Sequence, residues 1–428
     1  MFEGFFNFLR NLDRRFKVML GAIGLYNWTR SLPVQYDQLY FTTLGADPLE
    51  LGLLNSVAGT VNSIISAPMG WLADKYGVKK VMAFGLILST VASAIYGLAV
   101  NWWMLIPAII LTQIGMSLII PLADIIFIGT TNRAQRATAI GFIRALWAIP
   151  CTFAPMVAAL LVATFGGINT QGIRPLYFIN LSLYLLVFVI VIVMLKPLLP
   201  RKPKSENSRA QNEDESGSKR DGFIQDFQEL FKGEKWLKRW IIISSIRRVG
   251  ASLAMPFVPL WIVNVKHADP YILGAIGTLG IMTWVILQIP VGRLADKIGR
   301  KKAYFLFQPI LYVGTLWLIL APSPEHLIIV GLLGAVGLRV GTEGSGVGGL
   351  SFTPFMLMSW EMVPAEKRGR WHGIMNIFNF LSIPAMLLGG FLWQQGFMME
   401  VLLLPILLDF LFIIPILLTI PETLNRST

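Results

Sequence analysis

Residues 46–80 read ADPLELGLLNSVAGTVNSIISAPMGWLADKYGVKK, and residues 268–302 read ADPYILGAIGTLGIMTWVILQIPVGRLADKIGRKK. Displaced by 222 positions and aligned without a gap, the two stretches share 15 of 35 residues. An apolar bias reproduces leucines, but it does not reproduce matched Asp, Pro, Gly and Lys, so the chain carries an internal duplication. Further on, the register moves to 232, where Arg136 and Gly141 align with Arg368 and Gly373. The second half therefore holds ten additional residues between its third apolar span and the end of its fourth.

The duplicated unit is apolar throughout. Of 428 residues, 55% are hydrophobic and 14% charged, with a mean hydropathy of +0.64. Soluble domains carry roughly 25% charged residues, and no single water-soluble core could hide this much apolar sequence. A bilayer supplies the missing solvent. A membrane-spanning helix needs about 20 mostly apolar residues, and turn and charge signals divide the chain into twelve such spans. The first half places them at 18–44, 49–72, 80–100, 102–131, 136–165 and 174–196. The second half places them at 238–264, 270–294, 302–321, 325–362, 368–395 and 398–420.

The remaining segments complete the organisation. Residues 1–17 read as an interfacial amphipathic segment leading into the first span, without a small-residue cleavage site. Residues 197–237 form a linker whose polar part, 200–222, lacks apolar periodicity. Phe223, Phe227, Leu230, Phe231 and Leu237 then recur at helical spacing, which predicts a helix lying on the membrane surface. The halves are thus 18–196 and 238–420, followed by a tail at 421–428.

A net charge of +12 on a soluble chain would suggest nucleic acid; here the basic residues fall between apolar runs. With these spans, one side collects 29 of the 36 Lys and Arg, and the opposite side keeps only Arg174 and Lys266. The remaining five lie within spans. The positive-inside rule puts the basic side, and both termini, in the cytoplasm of a cell membrane. The single cysteine, Cys151, excludes a disulfide framework, and His267, His326 and His372 show no metal-ligand spacing. No nucleotide-binding Gly-x-x-x-x-Gly-Lys-Ser/Thr loop is present, and no nucleophile–base–acid set can be placed, so neither a primary pump nor an enzyme is expected. No cofactor and no metal are called for.

The polar end of the repeat carries a resemblance. Gly70-x-Leu72-Ala73-Asp74-Lys75-x-Gly77-x-Lys79-Lys80 follows span 2, and its copy, including Gly292, Asp296, Lys297, Gly299 and Arg300, follows span 8. Both are similar to the signature loop of the major facilitator superfamily. That resemblance implies an all-α membrane protein of twelve helices in two homologous six-helix bundles, which rock about a central cavity. Parallel repeats place the substrate site at the interface of the halves. The loop chemistry suits a gate. Gly70 and Gly292 permit close helix approach, Asp74 can accept hydrogen bonds at a helix N-terminus, and the lysines stay at the anionic leaflet surface. For Lys79 and Lys80 a role in topology alone explains the residues equally well.

Two further elements point in different directions. Ala154-Pro155-Met156-Val157-Ala158-Ala159 is similar to the Gly-Pro-x-x-Gly-Gly element of the superfamily's antiporters, with Ala for each Gly. Glu361-x-x-Pro364-x-x-x-Arg368-Gly369 and Pro421-Glu422-Thr423 resemble elements of the sugar-porter branch. Neither secures a substrate class.

Polar residues inside spans say more, because an ionised side chain at the bilayer centre costs about 3 kcal/mol or more. Span 1 has Asn27, Arg30 and Asp37; Arg30 and Asp37 are seven apart, hence on one helical face. Span 4 carries Gln113, Ser117 and Asp124 on one stripe. Arg144 lies in span 5, Arg247 and Arg248 in span 7, and Arg339 and Glu343 in span 10. Arg30, Asp37, Gln113, Arg144, Arg248, Arg339 and Glu343 are the candidates for substrate contact and proton coupling. For Arg247 and Asp124 a structural role is preferred, and Asp409 in span 12 is open between the two. Tyr26, Tyr36, Tyr40, Trp147, Trp284 and Trp360 are candidate cavity aromatics, although most such residues anchor helices at the interface. Residues 341–349, GTEGSGVGG, hold five glycines, each costing a helix interior about 1 kcal/mol relative to alanine. Span 10 is therefore expected to break near mid-membrane, with Gly341, Gly344 and Gly346 as the hinge.

The sequence points to a monomeric secondary transporter for a small organic solute, surrounded by lipid, coupled to protons and exporting. A sugar- or carboxylate-type importer is the alternative, preferred if the cavity is rich in hydrogen-bonding groups. An uncoupled receptor or lipid scramblase is the reading from another class.

Overall fold

The computed structural model describes residues 14–65, 75–129, 136–194, 235–338, 345–363, 371, 375 and 378–423. For 14–16, 123–129, 136–145, 235 and 379 it describes the backbone alone. In the first half, helices run over Arg14–Ser31 (α1), Asp37–Thr43 (α2), Pro48–Ile65 (α3), Val78–Leu98 (α4), Leu105–Gly129 (α5), Arg136–Thr164 (α6) and Thr170–Met194 (α7). In the second half they run over Lys235–Ala254 (α8), Val258–Leu260 (α9), Pro270–Ile298 (α10), Arg300–Leu320 (α11), Ile328–Leu333 (α12), Gly346–Gly349 (α13), Phe352–Glu361 (α14), Ser382–Gln394 (α15), Met398–Leu408 (α16) and Ile414–Thr419 (α17). Single π-helical turns at Trp261–Val265 and Asp409–Ile413 extend α9 and join α16 to α17. Every one of the twelve predicted spans contains described helix. Among the described residues, eight stretches are long and apolar enough to cross a membrane; the first and tenth spans are interrupted, and the second and eleventh adjoin undescribed residues.

The sequence repeat is a repeat of structure. Adding 222 carries α4 onto α11, the 3₁₀ turn Trp102–Met104 onto the turn that starts at Pro324, and Pro48 of α3 onto Pro270 of α10. The physical causes repeat too. Asp47 and Glu50 close a capping box at the start of α3, with Glu50 N–H to Asp47 Oδ1 at 2.7 Å and Asp47 N–H to Glu50 Oε2 at 2.8 Å. At α10, Asp269 Oδ1 accepts from the N–H of Ile272 at 2.8 Å, and Pro270 supplies a φ already suited to the first helical position. The first span breaks at Leu32–Tyr36, around Pro33, and the seventh at Met255–Phe257, around Pro256. Proline offers no N–H to the helix ladder.

Four cations close helix C-termini at equivalent places in the two halves, matching the negative end of the dipole. Arg174 donates to Ala99 O at the end of α4, and Lys266 Nζ donates to Ala321 O at the end of α11, at 2.9 Å. These are the two cations of the charge-poor side. At the basic end, Lys79 Nζ reaches Ile192 O of α7 at 2.8 Å, and Lys301 Nζ reaches Leu418 O in the last turn of α17 and Ile420 O just past it, both at 2.9 Å. Lys79 therefore staples its own half together, a role its place in the loop motif does not reveal.

The two halves share one core at the charge-poor end, where Tyr36, Leu51 and Ala154 pack with Phe257, Leu273 and Trp393. Towards the basic end the cores separate, with Met19, Met82 and Leu122 in one half and Trp240, Tyr304 and Phe355 in the other. Leu237 belongs to the second of these, buried at 2% exposure. It is thus a core residue of α8 and not part of a surface helix, while 223–231 lies outside the described residues. Close backbone approach holds the shared end: a Cβ on Gly52 would meet Met386 O at 2.6 Å, and one on Gly390 would meet Pro48 O at 2.4 Å. Tyr36 OH to Pro270 O (3.3 Å) and Ser56 Oγ to Ile383 O (2.9 Å) bridge the halves there.

Span 10 is broken, as expected, but earlier than its glycine-rich stretch. Helix α12 stops at Leu333, and Gly334 takes φ +82°, a left-handed conformation that glycine adopts without penalty. Helix resumes at Gly346, whose added Cβ would strike Gly334 N at 2.3 Å, so the two edges of the break touch. Gly341, Gly344, Arg339 and Glu343 lie outside the described residues.

Candidate functional site

A cavity of about 110 Å³ lies within the first half, walled by α1–α5 and α7. Arg30, Asp37 and Gln113, three of the residues singled out from the sequence, line it together. Arg30 and Asp37 do so for a different reason than the one expected. The turn at Leu32–Tyr36 separates them, so they sit on two helices, and the break, not a shared helical face, aims both inwards. Tyr177 OH donates to Asp37 Oδ1 at 2.9 Å. Gln113 Nε2 donates to Ala58 O at 3.1 Å, and Ser117 Oγ reaches Asn62 Oδ1 at 3.4 Å, so the polar stripe of α5 fastens α5 to α3. Asp124 and Arg144 have no described side chains. Arg248 is exposed and lines neither this cavity nor the next.

Most of the cavity wall was missed from sequence. Ser89, Ser93 and Tyr96 recur at intervals of four and three on α4, and Tyr177, Asn180 and Tyr184 at three and four on α7, and all six face the cavity. The helical spacing is legible in the sequence, but these uncharged residues stand out less than the charges do. The tyrosines pack as a layer, with Tyr96 stacked on Tyr177 at 4.8 Å between ring centroids and Tyr26 against Tyr184 at 5.3 Å. Gln38 and Asn55 exchange two hydrogen bonds, 3.2 and 2.9 Å, across α2 and α3. Of the aromatic candidates only Tyr26 lines this space. Tyr36 bridges to α10, Tyr40 OH donates to Tyr96 O at 2.6 Å, and Trp147 Nε1 donates to Leu20 O at 3.2 Å. Trp284 and Trp360 are also absent from its walls.

The larger of the two cavities therefore lies inside the first half and not between the halves. A smaller one of about 20 Å³ does lie between them, bounded by Val34, Gln35, Asp37 and Gln38 on one side and Met255, Pro259, Ile262, Leu273 and Leu338 on the other. Asp37 borders both. Gln35 is 4% exposed, and neither of its amide atoms has a hydrogen-bond partner among the described residues. The small-residue element of α6 forms the adjoining contact: a Cβ on Gly274 would meet Ala159 Cβ at 2.5 Å, and one on Gly277 would meet Pro155 Cβ at 2.7 Å. Alanine thus keeps the packing role that glycine has in the antiporter element.

At the basic end, the second loop copy joins the two sugar-porter-like elements. Arg300 donates to Asp296 and, through Nε, to Glu361 Oε1 at 3.1 Å. Glu422 Oε1 accepts from the N–H of Arg300 at 2.9 Å, and Thr423 Oγ1 donates to Glu361 Oε2 at 2.6 Å. The anion at the helix N-terminus is thus Glu422, not the loop aspartate. Lys297 lies in the last turn of α10, and Gly77 and Gly299, with φ of +85° and +102°, precede α4 and α11. Lys75 lies just before Gly77 with its ammonium 5.3 Å from the Tyr76 ring. Among the described residues, a Cβ on Gly292 would meet nothing within 4 Å. Gly70 and Asp74 lie outside the described residues.

An all-helical chain with a duplicated half, broken first, seventh and tenth spans and a polar cavity inside its bundle is a multi-pass membrane transporter. The Major Facilitator Superfamily matches residues 19–418, and the chain belongs to that family. It is a transporter of small molecules and not an enzyme. The chain is 23% identical over 298 residues to multidrug resistance protein MdtG of Escherichia coli O9:H4 (strain HS), covering 66% of this chain and 67% of that one. It is 22% identical over 320 residues to the class H tetracycline resistance protein of Pasteurella multocida, covering 71% and 73%. Among solved structures it is similar to the nucleoside transporter NupG, with a TM-score of 0.70 at 14% identity, covering 96% and 100%. A D-xylose–proton symporter is similar at a TM-score of 0.66 and 12% identity, covering 96% and 98%. Those structural likenesses bear on the fold.

Proposed function

We propose that the chain is a proton-coupled secondary transporter that exports a small organic solute by alternating access, with Asp37 as the coupling carboxylate. The observation that carries this reading is the place of Asp37, which borders both the cavity inside the first half and the cleft between the halves. A group there meets the solute and the moving half alike, so its protonation can bias both, and an ionisable side chain at membrane depth is a functional group by default. Arg30 on the same wall supplies a cation for an anionic substrate or for competition with the proton. The efflux direction is supported by the resistance proteins among the relatives.

With the basic end in the cytoplasm, the shared core closes the external side, and the conformation faces inwards. Pockets that hold a drug-sized ligand measure roughly 300–1,000 Å³, so the 110 Å³ present must widen before such a molecule enters. The hinge is the broken tenth span. Irregular backbone at that depth is tolerated where protein or a water-filled cavity covers it.

The test is solute flux in proteoliposomes with and without an imposed pH gradient. Wild type accumulates solute against its gradient when protons run the other way. Asp37→Asn abolishes that accumulation and retains solute exchange; unchanged uphill transport in the variant removes Asp37 from the coupling role. A second reading, an importer of a sugar or carboxylate, is favoured by the hydrogen-bonding walls, which include Gln38, Asn55, Ser89, Ser93, Thr112 and Gln113. Right-side-out and inverted vesicles separate the two by the side from which uphill transport starts.

A further inference from the structure

Asp409 is the twelfth of the 22 residues in its span, is 6% exposed, and lines neither of the cavities described above. It opens the π-helical turn Asp409–Ile413, a widened turn of a kind often found at functional positions. Gln308 Nε2 and Tyr312 OH of α11 both donate to the same oxygen, Asp409 Oδ2, each at 2.8 Å. Gln308 Oε1 in turn accepts from Ser351 Oγ at 2.7 Å, at the start of α14. Four residues thus run as one chain from the twelfth span through the ninth to the lower piece of the broken tenth.

The same helix α11 also holds the upper edge of the break, where Thr315 Oγ1 accepts from the N–H of Val336 at 2.9 Å. The groups that face Asp409 are Tyr312 and Gln308, Tyr304 from the same helix, and Arg247 from α8. Arg247 makes no ion pair with Asp409 among the described residues. Its guanidinium lies over the rings of Phe355, at 4.6 Å, and Tyr304, at 5.5 Å. The arginine and the carboxyl therefore grip α14 from two sides, one through Phe355 and the other through Ser351.

We propose that Asp409 is a second proton-binding site, separate from Asp37, whose charge sets how firmly α11 holds the lower piece of span 10. The cost of an ionised carboxylate at this depth and the gain from two charge-assisted hydrogen bonds are of similar size, so neither protonation state is excluded. Taking up a proton turns both into neutral hydrogen bonds, roughly half as strong. Because Gln308 donates to Asp409 and accepts from Ser351 through one amide, the loosening passes to Ser351. Proton binding here frees α14, and proton release clamps it. The site works on the hinge and does not touch the solute.

Infrared difference spectra of the full chain in proteoliposomes, taken against pH in an Asp37→Asn background, read the site without any transport. A carboxylic-acid C=O band that rises with falling pH is expected, absent when Asp409→Asn is added and with its midpoint displaced by Tyr312→Phe. Hydrogen exchange over 352–361, taken as the ratio of Asp37→Asn to the double variant, should change severalfold between the two ends of that titration. Tyr312→Phe carries the test if Asp409→Asn does not fold. An identical band with and without Asp409, a midpoint unmoved by Tyr312→Phe, or an exchange ratio constant with pH overturns the proposal. None of these outcomes depends on whether transport is driven through Asp37.

Discussion

Side chains one position apart in the repeated loop motif do unlike work in this protein. Lys79 and Arg300 both belong to the signature loops, yet Lys79 caps one helix end while Arg300, with its side chain 10% exposed, holds Asp296 and Glu361 together. A cation at a helix C-terminus is worth about 0.3–1 kcal/mol, whereas stripping one partner from a buried ion pair costs about 3–5 kcal/mol. Asp296 is 61% exposed and Glu361 27%, so Arg300 falls below that full figure, near about 2 kcal/mol once solvent screening is counted. Arg300→Met should therefore lower thermal stability in detergent clearly more than Lys79→Met does. Equal losses would show that the Arg300 cluster is only a surface ion pair. The resemblance found the loop, but the division of labour within it depends on Glu361 and Glu422, which approach from 61 and 122 residues away.

At the scale of helices, the contact between α6 and α10 closes the charge-poor end. Gly277 lies where an added Cβ would overlap the Gln35 side chain at 2.0 Å and Pro155 Cβ at 2.7 Å. Gly277→Val adds three carbons into that space and should push the halves apart at this end. In a Cys151→Ser background with a cysteine at Val34, labelling by an impermeant thiol reagent from the charge-poor side should rise severalfold in the Gly277→Val variant. Labelling that stays at the parent rate would mean that α6 and α10 do not form the closing contact. Helix breaks were legible to different degrees. The tenth span announces its break by length and glycine content, whereas the sequence through Leu32–Tyr36 looks like continuous helix. One proline in a 27-residue apolar stretch looks like a tolerated kink until the tertiary packing shows α2 turned towards the second half.

For the whole molecule, the strongest statement concerns orientation. If the basic end is cytoplasmic, cysteines placed beside Lys266 and Arg174 should react with an impermeant reagent added to intact cells. Cysteines beside Lys80 and Lys302 should react only after the membrane is opened. Labelling of the Lys80 site in intact cells would invert the topology, and with it the inward-facing assignment.

Composition, charge asymmetry and the 222-residue repeat by themselves determined a membrane protein of two homologous halves, and the two loop motifs carried the resemblance to this family. These are properties of local segments: each span must satisfy its own backbone hydrogen bonds and hide its own apolar face, so each leaves its mark in consecutive residues. Arg30, Asp37 and Gln113 were legible for the same reason, since charge and amide groups inside an apolar run are conspicuous one at a time. The tertiary structure alone decided where they meet. It put the cavity inside the first half, added the tyrosines of α4 and α7 to its wall, and tied Asp409 to Ser351 through Gln308. Those juxtapositions arise from packing between helices far apart in sequence, where small residues at crossings and breaks around prolines set the distances, and no single segment encodes its partner.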